Sequence, residues 1–168
     1  MPEIIDLYDN ARRIVKQSDK TLPVPSGLNR LYVHVWIMNK NGQFLLQQRV
    51  PTAKRSPNMW GHTGGGAQTG ESSWDTCVRE SFEELGLQLD INKSVWIGTF
   101  HRPTDFIDVW LVRNDVDISD LKLQRSEVQD VKWATREEIQ QMQQNGAFVP
   151  PAIPGLNMVY SYLDMLGK

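Results

Sequence analysis

Between Gly65 and Leu87 the chain reads GGAQTGESSWDTCVRESFEELGL, and within it three carboxylates, Glu80, Glu83 and Glu84, fall at spacings of three and four. Side chains four apart on a helix leave the same side, and those three apart nearly so. A helix here therefore crowds three like charges on one face, at a cost of roughly 0.2–0.5 kcal/mol per pair. A solvated acidic face is the bland account of such a run. Gly64-Gly65-Gly66 just before it, Arg79 within it and Gly86 after it favour a cation that gathers the acids. Hard divalent ions take carboxylate and carbonyl oxygens and commonly bind substrate phosphates as well.

The helix is expected to start at Ser72 or Ser73, either of which can cap it. Its core stripe is Trp74, Cys77, Val78, Ser81 and Leu85, and Gly86 ends it as a left-handed residue. The triple glycine reads as a turn. Upstream, residues 31–38 (LYVHVWIM) have the apolar, β-rich character of a strand buried on both faces. Asn39-Lys40-Asn41-Gly42 supplies hairpin-turn chemistry, so residues 43–49 return as the partner strand. Residues 51–58 form a basic, polar loop. Downstream, 95–99, 106–112 and 128–134 read as strands, and Thr135 caps a helix that runs to about Gln144. Pro150, Pro151 and Pro154 interrupt the chain before a last helix at about 156–166. Residues 1–29 are a polar extension in which Ile4, Ile5, Leu7 and Tyr8 form a short strand or turn. Strands, helix, strands, helix predict an α+β fold, with helices packed on a mixed sheet.

A length of 168 residues suits one domain over 1–168. With 40% hydrophobic and 23% charged residues the chain can bury a core. A net charge of −2 argues against a nucleic-acid footprint. Cys77 is the only cysteine, which excludes an intrachain disulfide. The first residues lack the basic-then-apolar layout of a signal peptide, and no apolar run is long enough to span a bilayer. The expectation is a cytoplasmic protein acting on a small molecule, with no membrane or nucleic-acid partner.

Read with its spacing, the segment is Gly65, five residues, Glu71, seven residues, Arg79-Glu80, two residues, Glu83-Glu84, one residue, Gly86-Leu87. It resembles the signature of the Nudix hydrolase superfamily. One position departs: Ser81 stands where the family usually carries an aliphatic residue, and Phe82 beside it is expected to supply the missing bulk. The resemblance implies an α/β/α sandwich with a mixed sheet. It implies metal-dependent hydrolysis of a nucleoside diphosphate linked to another moiety, or of a nucleotide, by water attack at phosphorus.

The same resemblance assigns roles. Glu80 and Glu84 would hold Mg²⁺ or Mn²⁺, with Glu83 reaching a second ion or a metal-bound water and the Gly64 carbonyl as a neutral ligand. Glu71 and Arg79 would form an ion pair bracing the loop against the helix, and Gly65 and Gly86 would shape its ends. The general base often lies outside the signature. Glu127 is the candidate and Glu83 the alternative, so the catalytic set is Glu83, Glu127 and Arg79. Arg49, at a strand end by the basic loop, and His62, before the glycines, are candidate substrate contacts. Homodimers are common among such proteins, so a dimer is a further expectation.

The stretch from Tyr32 to Arg49 and Trp60 also look like isopentenyl-diphosphate isomerase. That enzyme needs a cysteine beside the loop before the helix, where this chain has Gly64 and Gly66. A non-catalytic nucleotide-binding regulator is the third reading, and intact acids argue against it. His34, in an apolar strand, reads as a hydrogen-bonded buried histidine rather than a ligand. Trp36, Trp110 and Trp133 read as core.

Overall fold

The computed structural model describes residues 1–168. In chain order its elements are β1 (Ile4–Tyr8), β2 (Ile14–Asp19), β3 (Arg30–Met38), β4 (Phe44–Arg49), β5 (Trp60–Gly61), β6 (Thr63–Gly66), α1 (Ser73–Leu85), β7 (Ser94–Arg102), β8 (Asp105–Arg113), β9 (Val128–Ala134), α2 (Arg136–Gln144) and α3 (Ile153–Met165). The doubly apolar β3 lies at the centre, parallel to β8 and antiparallel to β6. Its alternate side chains serve two cores. Val33, Val35 and Ile37 pack with Cys77 and Leu85 of α1, while Trp36 and Met38 pack with Ile139 of α2 and Leu156, Val159 and Leu163 of α3. Helices thus cover both faces of a mixed sheet, the expected α/β/α arrangement.

Strands β3 and β4 are not the paired hairpin their sequence suggests. They meet only at Met38 and Phe44. Beyond that point β6 occupies the edge of β3 from Tyr32 to Val35, and β4 pairs instead with β9 and β5. A strand edge holds one partner, so the two strands splay apart. The glycines at 64–66 are correspondingly a strand and not a turn.

Helix α1 begins and ends as expected. Ser72 caps it in a reciprocal box with Asp75, and Gly86 closes it in the left-handed conformation. Ser81 is fully buried, with no hydrogen-bond partner for its hydroxyl. Phe82 does not fill in for it, because the next residue on a helix points roughly 100° away, and Phe82 is exposed. The last helix begins at Ile153, ahead of the expected 156, because Pro154 fits a first turn whose amide needs no acceptor.

The N-terminal extension is a hairpin. Nothing in the sequence marks strand β2, because its six residues, IVKQSD, have little inward alternation and most are exposed. Strand β1 supplies buried Ile5, Leu7 and Tyr8. From the hairpin tip Arg12 forms an ion pair with Asp108, which is buried in β8 and also accepts from Thr99 at 2.6 Å. Burial pushes the Asp108 carboxyl up, but the Arg12 and Thr99 hydrogen bonds outweigh it and hold its pKa below the usual carboxylate range. A folded-state pKa below the unfolded one gives stability that is full above about pH 4 and is lost as pH falls through the lowered value. Asp108→Asn is therefore expected to cost about 1–3 kcal/mol at neutral pH. The gap to wild type should close on acidification below about pH 4. Urea unfolding at pH 7 and near pH 3 checks this, and an unchanged gap would contradict it.

Candidate active site

Arg79, on the second turn of α1, is the hub of the site. Its guanidinium donates to Glu71 at 2.5 and 3.0 Å, to Glu80 Oε1 at 2.9 Å, to Glu83 Oε2 at 3.1 Å and to the Gly66 carbonyl at 2.9 Å. The Glu71–Arg79 pair expected from the sequence is present and ties the loop after β6 to the helix. Burial pushes Glu71 up, yet the Arg79 hydrogen bonds bring its pKa below normal. Glu71 also accepts from the Gln68 amide and the Thr76 hydroxyl, which fixes the loop geometry.

The three acids of the helix divide between two environments. Glu80 and Glu83 turn to Arg79, and Glu83 is otherwise exposed. Glu84 lies on the buried side and accepts from Gln47 Nε2 of β4 at 3.0 Å. Gln47 in turn accepts from Thr63 at 3.3 Å, so a short chain of polar groups bridges the splay between β4 and β6. Burial, followed by the charge of Glu80, raises the pKa of Glu84 well above normal. Glu80 is raised too: burial exceeds the relief that Arg79 gives. No three acidic or imidazole groups converge on one point.

Glu84 opens onto a cleft of about 570 Å³, within the range for small-molecule sites. Arg49, Lys54 and Arg55 line it, and so does Glu127. Arg49 Nε is pinned to the Arg55 carbonyl at 2.8 Å, which joins the strand end to the basic loop. Glu127 sits in the turn before β9, its carbonyl accepting from the Val50 amide at 3.1 Å. Gln47 and Lys20 line this cleft too, and no sequence signal marks either. Gln47 lies in a strand of ordinary composition, and its tie to Glu84 spans 37 positions. Lys20 comes from the N-terminal hairpin.

His62 does not line this cleft. It lies against His34, with ring centroids 3.8 Å apart and planes tilted by 37°, and its ring centroid is 5.3 Å from that of Trp36. Burial lowers both histidines, His62 to about 3. His34 is buried as expected but is not hydrogen-bonded at Nδ1; His62 Nδ1 and Trp36 Nε1 are also without partners. Trp36 is fully buried, whereas Trp110 and Trp133 are only partly so, packed against the α1-side core.

A family model described as the NUDIX domain matches residues 28–154. The chain belongs to the Nudix family. An uncharacterized Nudix hydrolase of Listeria innocua is 35% identical over 150 residues, covering 86% of this chain and 87% of the relative. A crystal structure from Deinococcus radiodurans superposes with a TM-score of 0.73 at 22% identity, covering 88% of this chain and 92% of that one. The isopentenyl-diphosphate Delta-isomerase of Escherichia coli is also similar, 30% identical over 106 residues, 58% of this chain and 57% of the isomerase. This chain is a Nudix hydrolase by family. Its one cysteine, Cys77, is buried in α1, and burial raises its thiol pKa. It is no proton donor for a cleft.

Nudix hydrolases generally use divalent metal ions, and the donors here fit one. Glu80 and Glu84 are two carboxylates whose charged forms burial disfavours, with one guanidinium between Glu80 and its neighbours and none on Glu84. Gly65 presses bare backbone against the Glu80 carboxylate: a Cβ there would sit 2.2 Å from Oε1. An all-oxygen set of this kind suits Mg²⁺ or Mn²⁺ better than softer ions.

Proposed function

We propose that this Nudix hydrolase cleaves a phosphoanhydride bond in a nucleoside diphosphate linked to another moiety, or in a nucleotide, with Mg²⁺ or Mn²⁺ held by Glu80 and Glu84. The reading is carried by one juxtaposition: buried Glu84 at the base of a cleft whose walls bear Arg49, Lys54 and Arg55. Acid below and cations around match a metal–diphosphate pair, since a buried charge without a partner is costly. A metal ion held by Glu80 and Glu84 would supply charge neutralisation on the non-bridging phosphate oxygens.

The chain's own groups do the rest. Gln47 orients Glu84, and Arg79 orients Glu80 while keeping Glu83 within reach of the same helix edge. The Gly64 backbone amide stabilises the Glu84 carboxylate, and the Gly64 carbonyl would be the neutral ligand of the set. Arg49 and the Lys54-Arg55 pair clamp phosphate oxygens. Glu127, which also lines the cleft, takes the proton of the attacking water.

Incubating the purified protein with Mg²⁺ or Mn²⁺ and a panel of nucleoside diphosphate sugars, dinucleoside polyphosphates, nucleoside triphosphates and NAD-like compounds tests the reading. Metal-dependent release of phosphate, pyrophosphate or a monophosphate is expected, and no release from any of them would defeat it. Glu127→Gln should lower kcat by roughly 10²–10⁴-fold with KM little changed. A normal kcat in that variant, with a collapse in Glu83→Gln, would transfer the role of base to Glu83.

A further inference from the structure

Lys20 follows β2 directly and lies outside the matched residues 28–154, yet its side chain lines the cleft with Glu84, Gln47, Arg49 and Glu127. Its position is fixed from several sides. The Lys20 amide donates to the Glu3 carbonyl at 2.9 Å, closing the hairpin. The hairpin is tied to the sheet by the Arg12–Asp108 pair and by Tyr8 bridging to Asn29. It is tied to the glutamate-bearing loop by the Gly70 amide, which donates to Asp6 at 2.8 Å, and by the Thr69 amide on the Ile4 carbonyl at 3.0 Å.

A bland role is available. Lys20 Nζ donates to both oxygens of Glu3, at 3.1 and 2.9 Å, and this ion pair helps to close the hairpin. Both side chains are more than a third exposed, and such pairs contribute little. An ammonium has three N–H donors, and Glu3 occupies two of them. The third is free on a side chain that borders the cleft, and the charge of Lys20 is felt at Glu80.

We propose that Lys20 is a substrate-binding residue: it donates to a phosphate oxygen of the bound diphosphate, so that the N-terminal hairpin completes the site. The inference rests on the phosphoanhydride reading above. Cations then reach the phosphates from two separate segments, Lys20 from the hairpin and Arg49, Lys54 and Arg55 from the stretch after β4.

Lys20→Met and Glu3→Gln, compared in the full-length protein with Mg²⁺, separate this from hairpin closure. Both break the same ion pair, but only the first removes the cation. For Lys20→Met, KM for the best substrate of the panel is expected to rise about tenfold or more, with a smaller change in kcat. Glu3→Gln should leave KM at the wild-type value. Equal melting shifts in the two variants with KM unchanged in both would overturn the proposal. Binding of methylenediphosphonate, read by calorimetry, keeps the test independent of turnover. If no panel compound is hydrolysed but the probe binds wild type and binds Lys20→Met about tenfold more weakly, Lys20 stands while the hydrolytic reading falls. Equal probe affinities sink Lys20 alone, and absence of both binding and turnover in the wild type sinks both.

Discussion

Glu84→Gln is expected to lower metal-dependent hydrolysis by about 10³-fold or more, while the metal-free protein stays folded and melts no lower than wild type. The two halves of this result have one cause. Glu84 is buried with its charge disfavoured, and its one side-chain partner is the neutral amide of Gln47. In the absence of a cation the ionised carboxylate is a strain on the fold. Glutamine has nearly the same shape and keeps a carbonyl oxygen for the Gln47 N–H, so the amide relieves that strain. Each kcal/mol recovered would raise Tm by roughly 2–4 °C in a protein of this size. A neutral amide is a much poorer ligand for a hard divalent ion, so the activity goes with the charge. Melting curves in EDTA and initial rates across a Mg²⁺ titration measure both halves. Wild-type turnover in the variant would show that Glu84 holds no metal. A large fall in metal-free Tm would show instead that its carboxylate is structural.

That opposition between local stability and function explains which parts of the site could be read from sequence. Glu71, Arg79, Glu80, Glu83 and Glu84 lie within one loop and helix, where helical spacing fixes which side chains are neighbours. Their connections therefore follow from the segment itself, from the Ser72 cap to Gly86. Arg49 and Glu127 were reachable because each flanks a strand end beside a loop. Gln47 and Lys20 were not, because nothing local marks them. Their proximity to Glu84 depends on β6 displacing β4 from the edge of β3, and on the packing of an exposed hairpin that has no periodic pattern. The same competition for the β3 edge explains why residues 64–66 read as a turn. Glycine-rich runs suggest turns by composition, but here the absence of side chains serves close approach within a sheet. His62 shows how alternation along the chain, rather than nearness in sequence, sets where a side chain lies. Nearness in sequence to the glycines suggested a place by the phosphates, yet alternation along the chain aims it at His34 and Trp36.

Adjacent glycines in β6 are accordingly expected to fail in different ways when each is changed to alanine. A Cβ on Gly64 would lie 2.1 Å from the backbone oxygen of Val33, at a φ of +154°. That oxygen belongs to the central strand and cannot move without breaking the β3–β6 ladder. Gly64→Ala should therefore fall among the most damaging single changes, at about 4 kcal/mol or more, seen as a steep loss of Tm or of soluble protein. A Cβ on Gly65 would instead lie 2.2 Å from Oε1 of Glu80, the far end of a flexible side chain. Rotating that carboxylate away relieves the clash at roughly 1–3 kcal/mol. Rotation also takes Glu80 off Arg79, which donates to it at 2.9 Å, and off the position from which it would hold the metal. Gly65→Ala should thus fold, lose activity by about 10²-fold, and require far more Mg²⁺ to reach its residual rate. The contrast is more telling than either result alone. If Gly65→Ala kept both the wild-type rate and the wild-type Mg²⁺ dependence, Glu80 would not be a ligand. If Gly64→Ala were as stable as wild type, the close packing of β6 on β3 would not be what holds this edge of the site in place.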